Sequence, residues 1–132
     1  MILISCMDNA LGLRFNHRRQ SRDRALCQRL LERAGGRLWL QEESRDLFPE
    51  GDIRVVERPE QVPEGGYCFW EEPVPETLEV EKILLYHWNR DYPADAFFVF
   101  PGGEDAWVRA GGADFAGSSH PEITEEIFTK KE

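Results

Sequence analysis

Between residues 82 and 88 the chain reads KILLYHW, with almost no polar alternation. A strand that is apolar on both faces has to be covered on both, as in the interior of a parallel sheet. Lys82–Trp88 is therefore expected near the sheet centre. Ile2, Leu3, Ile4 and Cys6, bounded by Asp8–Asn9, form a second such run and read as another buried strand. Between the two, Leu26, Cys27, Leu30, Leu31 and Ala34 recur at helical spacing and give one apolar helix face. Ser21 is the expected N-cap, which puts Asp23 in the first turn, and Gly35–Gly36 is the stop.

The remaining pieces continue an alternating β/α order. Residues 8–20 read as a polar loop punctuated by Gly12. Arg37–Leu40 is a short strand, and Glu42–Phe48 a helical turn stopped by Pro49. Ile53–Val56 and Tyr67–Trp70 are strands flanking the Pro/Glu/Gly-rich loop 57–66. PADAFFVF, two glycine pairs and the final stretch Glu122–Lys130 suggest an antiparallel hairpin completing a mostly parallel sheet. The expected class is α/β. At 132 residues the chain is one domain's worth, and residues 1–132 are expected to form a single domain. Trp39, Trp70, Trp88 and Trp107 fall in or beside these strands, as core or pocket wall.

Charge is unevenly spread. The formal net charge is −9, which disfavours nucleic acid as a partner. Residues 11–37 nevertheless carry eight arginines against Asp23 and Glu32, a local +6, so the rest of the chain carries −15. Two readings follow: internal pairing with the acidic remainder, or an anion site on the loop Asn16–Arg22, for which arginine's planar fork is suited. Cys6, Cys27 and Cys68 are widely spaced with no C-x-x-C pair, which argues for reduced thiols and a cytoplasmic setting. No apolar run is long enough for a membrane span, and the start MILISCMDNALGLRF lacks the pattern of a secretory signal.

Taken in order, these segments resemble dihydrofolate reductase in a shortened form. The opening ILISCMDNALGL is similar to that family's first strand and following loop, with Asp8, Leu11 and Gly12 in matching places. Asp23, opening the first helix, matches the pterin-binding carboxylate. KILLYHWNRDYPADAFF is similar to a late central strand and the stretch after it, with Asp95 in the Asp position. Tyr86 falls where the family has a Thr that bonds the pterin and the carboxylate. WVRAGGADFAGSSHPEITEEIFTKK resembles the last hairpin, with SSH at its turn. The resemblance implies a three-layer sandwich and a pterin-type pocket. It also implies NADPH, whose phosphates in the family rest on a glycine pair after the fifth strand and on a Gly-Arg-x-Ser/Thr turn after the second. Here the first place reads YCFWEEPVPE, where Glu71 and Glu72 disfavour a diphosphate, and the second reads LWLQEESRD.

Three strings, FNHRRQSRD, LYHWNRDYPAD and DFAGSSHPEIT, are also similar to short clostridial-type bacterial proteins labelled ribonuclease Z. That enzyme needs an H-x-H-x-D-H run for two zinc ions. This chain has only His17, His87 and His120, 70 and 33 residues apart, so a dinuclear metal centre is not expected.

The candidate catalytic residue is Asp23, whose role by resemblance needs a carboxyl raised by partial burial. The candidate ligand residues are Asn16, Arg18, Arg19, Gln20, Ser21, Tyr86 and Cys6, which place amides, guanidinium groups and a carboxylate near the sheet's ligand edge. Cys6 also fits an inert buried thiol, and His87 a sheet-face histidine. His120 is read as part of a polar hairpin turn, with acid–base work beside Ser118 or Ser119 as the alternative. The expected function is binding of a small anionic or heterocyclic molecule (pterin, nucleobase or nucleotide-like), or cofactor-independent chemistry on it. The alternatives are an acidic module that neutralises a basic protein partner, an NADPH reductase, and a ribonuclease acting through the arginine loop with His17 or His120.

Overall fold

The first apolar run forms strand β1 (Ile2–Met7) in the computed structural model, which describes residues 1–132. Along the chain follow β2 (Gly12–Phe15), β3 (Arg18–Arg19), helix α1 (Arg24–Arg33), β4 (Arg37–Leu40), a 3-10 segment Glu42–Leu47 and β5 (Asp52–Val55). After the turn Pro59–Gln61 come β6 (Tyr67–Phe69), β7 (Lys82–His87), β8 (Ala96–Phe97), the turn Glu104–Ala106, β9 (Trp107–Phe115) and β10 (Ile123–Lys130). Seven strands form one sheet in the order β5-β4-β6-β1-β7-β10-β9. Those from β5 to β7 are parallel, β10 runs antiparallel to β7, and β9 is antiparallel to β10. The mostly parallel sheet closed by a C-terminal hairpin is thus present.

The alternation hidden inside the two apolar runs assigns their side chains to opposite faces. Ile2, Ile4, Leu84, Tyr86 and Trp88 pack beneath α1 with Leu26, Leu30, Leu38 and Phe48. Leu3, Met7, Ile83 and Leu85 face the other way, against Val62, Leu78, Val80, Phe98 and Phe100. One covering layer is therefore the helix, and the other is built from loops and short turns. Leu26 and Leu30 are 1% and 0% exposed, so each stabilises the α1–sheet contact by about 1.5–3 kcal/mol. Gly35 and Gly36 end α1 with φ of +67° and +92°, values that favour glycine.

Two local readings are corrected. The N-cap of α1 is Asp23, whose carboxylate accepts the Leu26 N–H at 3.1 Å, and not Ser21. Residues 8–20 are not simply loop, because β2 and β3 form a hairpin that joins β8 in a second sheet, β3-β2-β8. Its two-residue turn is Asn16–His17, with φ of +51° and +64°. This is the left-handed pair of a tight hairpin, in which glycine ordinarily follows asparagine; histidine in that place hides the signal. Asp8 folds the segment back by accepting the N–H groups of Ala10 (2.9 Å), Gly12 (2.7 Å) and Tyr92 (3.2 Å).

Candidate functional site

The carboxyl ends of the parallel strands, the N-terminus of α1 and the β9–β10 turn converge at Asp23. Its side chain is fully buried. Besides Leu26 it accepts the N–H groups of Ser118 (2.9 Å) and Ser119 (2.8 Å), while the Ser118 hydroxyl in turn accepts the Ala25 N–H at 3.0 Å. Helix and hairpin thus cap one another. Gly117 makes the approach feasible, since a Cβ there would lie 2.5 Å from Asp23 Oδ2. Burial pushes the Asp23 carboxyl up. The N–H groups of Ser118, Ser119 and Leu26, with the His120 ring, outweigh it and hold the group well below the usual range. The raised carboxyl that the resemblance implies is therefore absent, because the turn supplies too many donors.

His120 completes the cluster. Its Nδ1 lies 2.9 Å from Asp23 Oδ2, and its Nε2 lies 3.0 Å from Ser21 Oγ and 3.2 Å from the Tyr92 hydroxyl. The ring is buried and stacks on Trp88, centroid to centroid at 4.7 Å. An ionised carboxylate can only accept, so Nδ1 carries the proton, and in the neutral form of the ring Nε2 is left to accept from a hydroxyl. The result is a Ser21–His120–Asp23 relay held in one ring orientation.

Beside it runs a groove of about 600 Å³ between the first turns of α1 and the segment Asp46–Glu50. Cys27, Leu31, Phe48 and Pro49 supply its apolar surface, and Arg22, Arg24, Asp46 and Glu50 its polar rim. Asp23 and Ser119 line the end nearest the relay.

The expected ligand residues divide sharply. Ser21 and Asp23 are brought together through His120. Arg19 is taken up by Glu71, donating from Nε to Oε2 at 2.9 Å and from Nη2 to Oε1 at 3.0 Å. Buried Glu71 also accepts the Ser44 hydroxyl at 2.5 Å, and Arg14 donates from Nε to its backbone carbonyl at 3.0 Å. Glu71 is thus internally neutralised and does not stand as an open negative charge. Gln20 donates to Asp8 Oδ2 at 3.2 Å and to the Pro93 carbonyl at 3.3 Å. Asn16 and Arg18 are exposed at the β2–β3 turn, and the Asn16 N–H donates to Asp95 at 3.0 Å. Tyr86 does not meet Asp23. It is buried beneath α1, and its hydroxyl donates at 2.6 Å to Glu125, a fully buried carboxylate that also holds Arg29 and Arg33. Cys6 lies on the same face; burial and the neighbouring Cys27 push its thiol well up, which makes it unreactive. His87 bonds Glu126 at 2.6 Å.

Much of the arginine cluster is therefore structural. Arg14, Arg19, Arg29, Arg33 and Arg37 all pair with carboxylates of the chain. His120, Trp88 and Tyr92 join the site without a sequence signal linking them to Asp23, since His120 is 97 residues away along the chain.

No protein-family pattern and no curated protein matches the sequence. Solved structures do match. A dihydrofolate reductase from Enterococcus faecalis, complexed with NADP(H) and RAB-propyl, superposes with a TM-score of 0.64 over 99% of this chain and 96% of that one, at 10% identity. The chain has the dihydrofolate reductase fold. The relay lies at the carboxyl edge of the parallel strands, where open α/β sheets collect ligands, and the groove runs from it along α1. No group of three or more His, Cys, Asp or Glu side chains is gathered here to hold a metal ion, and no helix is long and apolar enough to cross a membrane.

Proposed function

We propose that the chain binds a small molecule in the groove beside Asp23 and works on it without a dinucleotide. The observation that carries this reading is the groove itself, which starts at the head of α1 beside Asp23 and runs along the helix, in a fold whose structural neighbour was solved with two small ligands. Leu31, Cys27 and Pro49 offer apolar area for a flat ring, and exposed Arg22 and Arg24 offer guanidinium groups to an anionic substituent. These two replace Arg19 and Gln20, which are engaged elsewhere.

The residues at the two places where the fold family seats the NADPH phosphates do not suit a diphosphate. After β6 come Trp70 and Glu71, both buried, with the Glu71 carboxylate clamped by Arg19 and Ser44. Side chains fill a place that glycines would leave open for backbone N–H contacts. After β4 the 3-10 segment begins with Glu42 and Glu43, carboxylates already paired with Arg45 and Arg14, where the family has a glycine–arginine turn.

The test is a thermal-shift and amide-NMR titration with folates, nucleobases and nucleotides. Saturable stabilisation with perturbations at Arg22, Arg24 and Phe48 is expected. A ligand at a hundredfold excess over Kd should add about 2.7 kcal/mol. No stabilisation at millimolar ligand, or perturbations confined to another face, contradicts the reading.

A further inference from the structure

We propose that Ser21 is a nucleophile for acyl transfer, with His120 as its base and Asp23 as the positioning residue, and that the chain hydrolyses small carboxylic esters. Ser21 Oγ, His120 Nε2, His120 Nδ1 and Asp23 Oδ2 form an unbroken sequence of hydrogen bonds at 3.0 and 2.9 Å. This is the arrangement that turns a hydroxyl into a nucleophile on several unrelated folds. Each member meets a requirement of that role. Ser21 is half-buried, not enclosed, and is next in the chain to Arg22 of the groove. His120 is buried and stacked on Trp88, so the ring is held in its plane. Asp23 is enclosed and accepts three backbone N–H groups, so it remains an acceptor towards Nδ1. The N–H groups of Arg22 and Asp23 make no hydrogen bond within the chain, which leaves donors next to the nucleophile for an oxyanion.

The step balances without a cofactor. The Ser21 hydroxyl proton passes to His120 Nε2 as Oγ bonds the ester carbonyl carbon, whose oxygen takes the electron pair. Collapse of that adduct breaks the bond to the alcohol oxygen, which leaves with the proton from Nε2. Water then gives a proton to Nε2 and its oxygen attacks the acyl carbon. Release of the carboxylic acid returns the proton to Ser21 Oγ. Tyr92, whose hydroxyl is 3.2 Å from Nε2, competes with Ser21 for that lone pair.

The inference uses the groove reading only to seat the remainder of the substrate. It is tested by a reaction that needs no groove affinity, namely labelling with a small alkyl fluorophosphonate, mapped by peptide mass spectrometry. Ser118 and Ser119 serve as internal controls. The expected result is a single adduct on Ser21, formed at a rate that steps up with pH. His120→Asn keeps a donor near the Nδ1 place, so the Asp23 contact survives, but it lacks Nε2. It should remove both the pH step and the labelling. Asp23→Asn should slow labelling by about 10³–10⁴-fold, while Tyr92→Phe should label at least as fast as the natural chain. Equal labelling of Ser118 or Ser119, no adduct on Ser21 in folded protein, or unchanged labelling in folded His120→Asn overturns the proposal. A chain that fails this test and still shows saturable ligand binding in the groove retains the function proposed above; one that labels Ser21 but binds none of those ligands loses only that reading.

Discussion

Changing Glu125 to Gln removes one charge from the sheet at almost constant volume. The Glu125 side chain is fully enclosed on β10 and accepts from Arg29 at 3.0 and 3.0 Å, from Arg33 at 3.2 and 2.7 Å, and from the Tyr86 hydroxyl at 2.6 Å. Burial pushes its carboxyl up, but the two guanidinium groups and the phenol outweigh it and lower it from 4.5 to about 2. At about 1.4 kcal/mol for each tenfold change in an ionisation constant, that displacement corresponds to about 3 kcal/mol. The arginine side chains are 31% and 43% exposed, and solvent screening brings the expected figure nearer 2 kcal/mol. Because the folded value is depressed, the contribution is complete above the unfolded value of 4.5 and fades as pH falls towards about 2. Urea denaturation across a pH series should therefore show Glu125→Gln less stable by about 2–3 kcal/mol at neutral pH, a large share of the roughly 5–15 kcal/mol typical of a domain. The gap should narrow steadily below pH 4.5. A gap that stays constant as the acid form takes over would refute the reasoning, because it would trace the loss to packing.

Gly117→Ala should destabilise by about 1–3 kcal/mol, since the new Cβ would sit 2.5 Å from Asp23 Oδ2 and 2.9 Å from the His120 carbonyl oxygen; a thermal melt equal to that of the natural chain would contradict the close approach. Arg19→Ala leaves buried Glu71 without its two-pronged partner and should cost about 2–4 kcal/mol in chemical denaturation, whereas changing Arg18 should cost under about 0.5 kcal/mol. Burial pushes the Cys27 thiol up to about 11 and that of Cys68 to about 12, so a disulfide reagent at mildly alkaline pH should modify the native protein far more slowly than the unfolded chain. A fast stoichiometric reaction of native Cys27 would contradict that burial.

The sheet was legible in the sequence where burial imposes it. KILLYHW and ILISC lack alternation because both faces are covered. Gly35–Gly36 marked the end of α1 for an equally local reason. The β2–β3 hairpin was hidden because its left-handed turn uses His17 where glycine would have announced it. The site was half legible. Ser21 and Asp23 stood out as polar residues opening a helix, but their connecting group, His120, arrives from the last hairpin, and nothing local in GSSHPE reports a tertiary bond. Arg19 misled for the complementary reason. An arginine in a loop suggests an anion, and whether that anion is a ligand or the chain's own Glu71 is decided by packing alone.

The most direct test of the relay is which nitrogen of the neutral His120 ring carries the proton, read by nitrogen-15 NMR. With Asp23 accepting from Nδ1, the proton is expected on Nδ1, with a bare Nε2 whose shift moves in Ser21→Ala. A proton on Nε2 would mean that the ring cannot accept from Ser21, and the relay at the head of α1 would not exist.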